Sequence, residues 1–260
     1  KEYLIIMKNK KILFFVLLIL FCILFIINDN FSFIHFFKLL FLFIIFIAAF
    51  LLFNTCNLKY ITYKIKDQHI EVLSDKNDSK NAAQIIYTID QNIQKLISYL
   101  NKKYSDENLD KQLYNNILIK SRKHIFIRNT LKELNNSYKS NTIIENFPEK
   151  KNVLTSYNVN KGNNIYLSLR KYNNYNFHDD NEIMFVALHE LSHNCTHTPG
   201  HNKDFWYIFR FLLENAIEIN IYHPINYKIN KFNYCSTDVT YNPLYDDTLK
   251  DEIYLLKNSK

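Results

Sequence analysis

The stretch His189-Glu190-Leu191-Ser192-His193 decides how this chain of 260 residues is interpreted. In an α-helix, residues four positions apart lie on one face, so the imidazoles of His189 and His193 can hold one metal ion between them. Glu190 lies about 100° further round the helix, where its carboxylate can reach a water molecule beside that ion. The HExxH pattern therefore predicts a helix that carries two metal ligands and a general base.

Zinc is the metal that this set of residues predicts. A zinc ion lowers the pKa of a bound water to about 7, and the Glu190 carboxylate can then accept the proton. In a chain with nine histidines, the pattern is expected by chance roughly once in a hundred such chains. We therefore predict a hydrolytic zinc site rather than a surface helix with two incidental histidines.

The residues before the motif predict where its helix begins. Asp179 and Glu182 have the spacing of a capping box, with Asp179 as the N-cap and Glu182 three positions later. An apolar face follows, made of Ile183, Met184, Ala187, Leu188 and Leu191. The pattern is typical of a half-buried helix, which is the setting that a zinc site needs.

The third ligand has to lie outside the motif, because a catalytic zinc uses three protein ligands and keeps one coordination position open. His201 is favoured, since the turn Thr198-Pro199-Gly200 would end the helix and return the chain to the metal. His197 remains an alternative if the helix continues for another turn. Glu214 or Glu218 on the next helix would give a site of two histidines and one glutamate.

Residues 183–221 resemble the core of the WLM metallopeptidase domain, which is related to the SprT-like zinc proteases. In that group a short loop, a third histidine and a Phe-Trp pair that opens a second helix follow HExxH. The residues matching that order are His189, Glu190, His193, His201, Phe205 and Trp206. The run Thr155–Gly162 and the pair Tyr234-Cys235 also resemble members of this group from large DNA viruses. The similarity covers about residues 140–245.

The resemblance implies an α+β, zincin-like metalloprotease fold, with a small sheet, an active-site helix and a backing helix over residues 203–219. Residues 163–170 are predicted to form a strand just before the active-site helix. In zinc proteases of this architecture an edge strand beside the metal pairs with the backbone of the substrate. A protein or peptide is therefore the expected partner, and Tyr157, Tyr222 and Tyr241 are candidates to stabilise the oxyanion.

Two other functions compete with that of a zinc endopeptidase. The resemblance also suggests a DNA–protein-crosslink protease, which would need a clustered basic face. The single candidate cluster is Lys120, Arg122, Lys123 and Arg128, and a solvated helix face explains it better, so nucleic acid is not expected as a partner. A non-catalytic binding module is the third possibility, against which the intact Glu190 argues.

Two segments without any charge, residues 12–27 and 39–53, predict a pair of transmembrane helices joined by Asn28-Asp29-Asn30. Lysines flank the pair on both sides, which places both ends in the cytoplasm. We therefore expect a membrane-anchored protease, with the lipid bilayer as a partner and the catalytic domain facing the cytoplasm. The four cysteines include no CxxC pair, which fits a reducing compartment and makes Cys195 and Cys235 small buried residues rather than ligands.

These patterns predict three regions. Residues 1–56 form the membrane anchor, residues 57–139 the helical N-terminal part of the domain that follows, and residues 140–260 the metallopeptidase core. Within the second region, residues 59–66 alternate like a strand, and residues 80–103 and 107–123 have the periodicity of amphipathic helices.

Overall fold

The computed structural model describes residues 40–41, 43–44, 60–76, 78–105, 117–140, 142–147, 155–159, 164–196, 200–235 and 237–249. The chain divides into two compact units, Lys1–Leu58 and Lys59–Lys260. In the second unit the described helices are α1 (Ser79–Lys103), α2 (Ile117–Ser137), α3 (Asp180–Asn194) and α4 (Lys203–Glu218). The strands are β1 (Tyr60–Ile65), β2 (Gln68–Leu73), β3 (Ile143–Asn146), β4 (Tyr157–Val159), β5 (Asn164–Ser168), β6 (Phe232–Tyr234) and β7 (Thr237–Val239). This is the mixed α+β arrangement that the sequence predicted.

The strands form three small sheets. β1 and β2 form an antiparallel hairpin, as do β6 and β7. The third sheet has the order β3-β5-β4, in which β3 runs parallel to β5 and β4 runs antiparallel to it. The predicted strands 59–66 and 163–170 are confirmed as β1 and β5, and β4 lies at an edge of the three-stranded sheet.

The helix that contains HExxH is α3, and it begins where the capping box predicted. The Asp179 carboxylate accepts a hydrogen bond from the backbone N–H of Asn181 at 2.9 Å, and the Glu182 carboxylate accepts one from the backbone N–H of Asp179 at 3.4 Å. These bonds satisfy backbone groups that have no partner within the helix, and acidic side chains at this end are stabilised by the helix dipole.

The prediction of a half-buried α3 is wrong, because the stretch of this helix from Ile183 to Leu188 is buried on every side. Phe185 and Val186 are buried along with the predicted apolar face of Ile183, Met184, Ala187 and Leu188. α3 packs against α4, α1 and α2, and also against β4 and β5. An element surrounded by others needs apolar residues all round, so a one-sided pattern is not required of it.

α2 differs from the predicted helix over residues 107–123. Residues 106–116 lie outside the described part of the chain, and the helix continues beyond residue 123 to Ser137. Ile127, Leu131 and Leu134 explain the continuation, because their spacing gives one apolar face and all three are buried in the core.

The predicted transmembrane pair falls outside the described residues, apart from four helical positions in residues 40–44. No helix in the described part of the chain is both long enough and apolar enough to cross a bilayer. A spanning helix needs about 20 consecutive apolar residues, whereas the 25-residue helix α1 carries lysines and amides throughout. The predicted localisation, a membrane with the catalytic domain facing the cytoplasm, is corrected by this finding.

Candidate metal centre

The chain turns back on itself between α3 and α4, and this reversal builds the site. α3 ends at Asn194, and Gly200 has a positive φ of 85°, a conformation that favours glycine. His201 follows, and the Asn202 side chain accepts a hydrogen bond from the backbone N–H of Phe205 at 2.9 Å, which caps α4. His201 therefore lies close to α3, although Thr198 and Pro199 of the predicted turn are outside the described residues. His197 lies outside the described residues.

The three histidines His189, His193 and His201 converge. One ring nitrogen from each lies within 4.8 Å of the other two, and the Nε2 atoms of His189 and His201 are 3.0 Å apart. Three nitrogens bound to one tetrahedral zinc at 2.0–2.1 Å would be separated by about 3.3 Å. The donor set fits a zinc ion, because three imidazole lone pairs aimed at one another are best satisfied by a shared cation.

Burial keeps these imidazoles neutral. Removal from water, with a smaller contribution from the neighbouring His193 and His201, lowers the pKa of His189 to about 3. Burial likewise lowers the pKa of His193 to about 4, with His201 contributing, and it lowers the pKa of His201. Since a metal binds only the neutral ring, all three side chains are ready to act as ligands at neutral pH.

Glu190 lies on α3 between the two motif histidines, and only 6% of it is exposed. Burial raises the pKa of its carboxyl to about 8. A carboxyl that titrates near neutral pH can both accept and release a proton under the conditions in which the protein works. The role of Glu190 as general base stays a prediction.

Aromatic rings hold the histidines from the side of α4. Phe205 is fully buried, and its ring centroid lies 4.8, 4.4 and 4.7 Å from those of His189, His193 and His201. Trp206 lies beside His201 at 5.4 Å. The Phe-Trp pair that carries part of the family resemblance thus packs against these histidines and restricts their rotation.

The alternative carboxylate ligands lie elsewhere. Glu214 accepts a hydrogen bond from Arg210 at 2.8 Å, and Glu218 accepts one from Tyr99 at 2.5 Å and pairs with Lys103. Neither belongs to the convergent group of metal-binding atoms found in the described residues. Both carboxylates instead pair with other side chains of the domain.

The three tyrosines considered for stabilising the oxyanion have different surroundings. Tyr222 is buried in the core, with 1% of it exposed, and Tyr157 stacks on Tyr166 at 4.7 Å. Tyr241 packs against Trp206 at 4.7 Å, and its hydroxyl donates to Asp246 at 2.7 Å. Tyr241 reaches the site through Trp206, whose ring contacts that of His201.

Sequence reasoning missed two polar residues beside the motif. Asn158 on β4 donates from Nδ2 to the backbone oxygen of Glu190 at 3.2 Å and to the side-chain oxygen of Asn194. The only available signal was the run Thr155–Gly162, whose resemblance to viral proteins gave it no structural role. By contrast, Cys195 and Cys235 are free and buried, as predicted.

Residues 108–234 match the WLM domain family. The chain carries a WLM domain. The match includes the α3–α4 reversal and all of the converging histidines, and it supports a protease at the general level.

Three viral proteins are similar to this chain. An uncharacterized protein of Acanthamoeba polyphaga mimivirus is 39% identical over 105 residues, which are 40% of this chain and 52% of that protein. Uncharacterized proteins of Invertebrate iridescent virus 6 and Invertebrate iridescent virus 3 are 33% identical over 82 residues and 38% identical over 81. These alignments cover 31% of this chain, and 44% and 49% of the two proteins. The chain thus spans about half the length of the curated relatives it matches.

Among solved structures, the WLM domain is similar to a Wss1 mutant from Saccharomyces cerevisiae. The identity is 24% and the TM-score 0.38, over 57% of this chain and 88% of that one. A second Wss1 structure is 23% identical, with a TM-score of 0.34, over 57% of this chain and 87% of that one.

Proposed function

We propose that the WLM domain is a zinc-dependent metallopeptidase, in which His189, His193 and His201 would hold the metal and Glu190 is the general base. The observation that carries this proposal is the convergence of three neutral imidazoles, two of which lie on the same helix as the buried carboxyl of Glu190. When bound, zinc would supply Lewis acidity, which polarises a peptide carbonyl and makes water nucleophilic near pH 7.

Glu190 moves the proton in this proposal. Its carboxylate accepts a proton from the attacking water as the new C–O bond forms, and it then passes that proton to the departing amine as the C–N bond breaks. A pKa near neutrality suits both transfers, because the group must be a base in the first and an acid in the second. The histidines, which are neutral, do not compete for the proton.

The proposed substrate is an extended segment of a protein. β4 is an edge strand of the β3-β5-β4 sheet, and it packs against α3, the helix that carries Glu190. An extended peptide can add to such an edge through main-chain hydrogen bonds, which give affinity with little dependence on sequence. Such binding would present successive peptide bonds to the metal.

The test compares the wild-type protein with Glu190→Gln on β-casein, an unstructured protein with many accessible peptide bonds. With zinc, the wild type should cleave β-casein, whereas the variant should keep its zinc and lose roughly 10²–10⁴-fold in rate, since only the base is removed. Glu71→Gln, the same change at an exposed position on β2, is the matched control and should cleave normally. Full activity of Glu190→Gln would refute the assigned role.

Zinc content separates this proposal from a non-catalytic binding module. A module of that kind would bind zinc through the three histidines and leave β-casein intact. Of the basic residues considered for contact with nucleic acid, only Arg128 has a described side chain, so no observation favours a role on DNA.

A further inference from the structure

Two short motifs, the run Thr155–Gly162 and the pair Tyr234-Cys235, have no part in the metal centre, yet the structure joins them. Ser156 from the first and Tyr234 from the second form a hydrogen bond of 2.7 Å between their hydroxyl groups. We propose that two sets of polar bonds, one made by Asn158 and the other by Ser156 and Tyr234, position the edge strand β4 against the Glu190 turn of α3. This inference rests on the proposed function, because β4 is where the substrate would bind.

Asn158 makes the direct connection between strand and helix. It lies opposite Ile165 of β5, which is fully buried, so both side chains point to the face of the sheet that α3 covers. Its Nδ2 group donates to the backbone oxygen of Glu190 and to Oδ1 of Asn194. One side chain of the edge strand therefore bonds to the general base's own residue and to the residue four positions further along α3.

The start of β4 is held by a second set of bonds. The hydroxyl of Ser156 accepts from the backbone N–H of Ser168 at 3.1 Å, and the Tyr234 hydroxyl donates to the backbone oxygen of Ser168 at 2.6 Å. The backbone oxygen of Thr155 accepts from Asn146 at 2.9 Å and from the Ser168 hydroxyl. Side chains from β3, β5 and the β6–β7 hairpin thus fix the residues that lead into β4.

Such a network is needed because β4 is short. The strand has three residues and pairs with a single described neighbour, so few backbone hydrogen bonds define its register. A slip of one residue would turn every side chain of β4 to the opposite face of the sheet. Hydrogen bonds from this region to buried partners oppose that slip. Asn194, Ser168 and Tyr234 are at most 3% exposed, so a slip would leave their polar groups without a partner and without water.

The role assigned to Asn158 is that of a positioning residue, which acts through β4 and the Glu190 turn. If it sets where an extended peptide lies, its loss should weaken peptide binding and move the cleavage points. It should leave zinc binding unchanged, because no bond to a metal-binding histidine is broken.

The experiment measures zinc-loaded Asn158→Ala on β-casein, with mass spectrometry to identify each cleaved bond. We expect KM to rise on the order of tenfold, as for the loss of one or two buried hydrogen bonds, with a smaller change in kcat. The distribution of cleaved bonds should broaden. Asn135→Ala is the matched control, because it removes a side-chain amide pair with Asn101 far from the site, and it should show wild-type values.

Tyr234→Phe provides a second test if Asn158→Ala fails to fold. It keeps the ring and removes only the hydroxyl that bonds to Ser156 and Ser168, so the same changes should appear at smaller size. Wild-type KM and an unchanged cleavage pattern in a folded variant would overturn the inference.

Hydrogen exchange separates this inference from the proposed function. Loss of Asn158 should speed the exchange of the backbone amides of residues 157–159 while α3 stays protected, whether or not β-casein is cleaved. A wild-type protein that binds zinc and cleaves nothing would refute the proposed function alone, whereas unchanged exchange in Asn158→Ala would refute the fixing of β4.

Discussion

His178 forms one group of histidines in this domain, and His189, His193 and His201 form the other. The two groups differ in what their ring nitrogens contact. His178, just before α3, has no exposed side-chain surface, and its Nδ1 lies 3.1 Å from the Glu182 carboxylate. Its Nε2 lies 4.0 Å from the thiol of Cys235, and its ring packs on Tyr234 at 4.8 Å. Both nitrogens of His178 therefore have partners within the protein.

The histidines of the metal centre face one another instead. The Nε2 atoms of His189 and His201 are 3.0 Å apart, and His201 is exposed at the surface. Burial lowers the pKa in both groups, including that of His178, so a lowered pKa does not distinguish a metal site from a structural histidine. The difference lies in the partners of the ring nitrogens. Nitrogens that contact other protein groups, as in His178, stabilise the fold, whereas nitrogens that face other histidine nitrogens can bind an ion.

The sharpest way to break this comparison is to remove one histidine from each group and measure zinc affinity. His201→Ala should weaken zinc binding by more than about 100-fold, beyond the loss expected for a residue that only supports a ligand. His178→Asn should bind zinc like the wild type. Competition with a chromophoric zinc chelator gives both affinities.

His197→Ala completes that measurement, because His197 lies between α3 and His201 in the sequence. Little change is expected. A large loss for His197→Ala with wild-type affinity for His201→Ala would make His197 the third ligand and reverse the assignment.

Zinc should also stabilise the fold, and it should do so through His189, His193 and His201 rather than through His178. At a free zinc concentration 100 times the Kd, the free energy of unfolding should rise by about 2.7 kcal/mol, because zinc binds the folded site and not the unfolded chain. Urea unfolding with and without a chelator measures this difference. The gain should persist in His178→Asn and disappear in His193→Ala, and a gain that survives His193→Ala would place the metal elsewhere.

The smallest expected effect concerns pH and His178. Burial lowers the pKa of His178 from its ordinary value of 6.5, with Glu182 opposing part of that change. Well above pH 6.5 the ring is neutral in both the folded and the unfolded chain. As the pH falls through 6.5 the unfolded chain binds the proton more readily than the folded chain, so stability is lost as the pH falls towards 5.

His178→Asn should therefore lose less stability than the wild type between pH 7.5 and pH 5, as measured by urea unfolding of the metal-free proteins. His69→Asn, the same change at an exposed position on β2, is the control and should follow the wild type. An identical pH dependence for His178→Asn and the wild type would show that His178 takes up its proton in the folded protein as well.

Much of the site follows from local sequence. HExxH defines its own geometry because residues four apart share a helix face, and Asp179 and Glu182 define where that helix begins. The turn before His201 and the Phe-Trp pair were also informative, since a glycine with positive φ and a capped helix start are local features. None of these needs knowledge of distant parts of the chain.

The tertiary structure decided everything that depends on contacts between distant residues. Asn158 meets Glu190 across 32 positions, and Tyr234 meets Ser156 across 78. The pattern of a three-residue strand is too short to predict such pairings. The same holds for His178 and Cys235, each of which is unremarkable in its local sequence. Periodicity shows which face of an element is apolar, but the number of faces that become buried depends on the neighbours that pack there. This is why the stretch of α3 from Ile183 to Leu188 is buried on all sides.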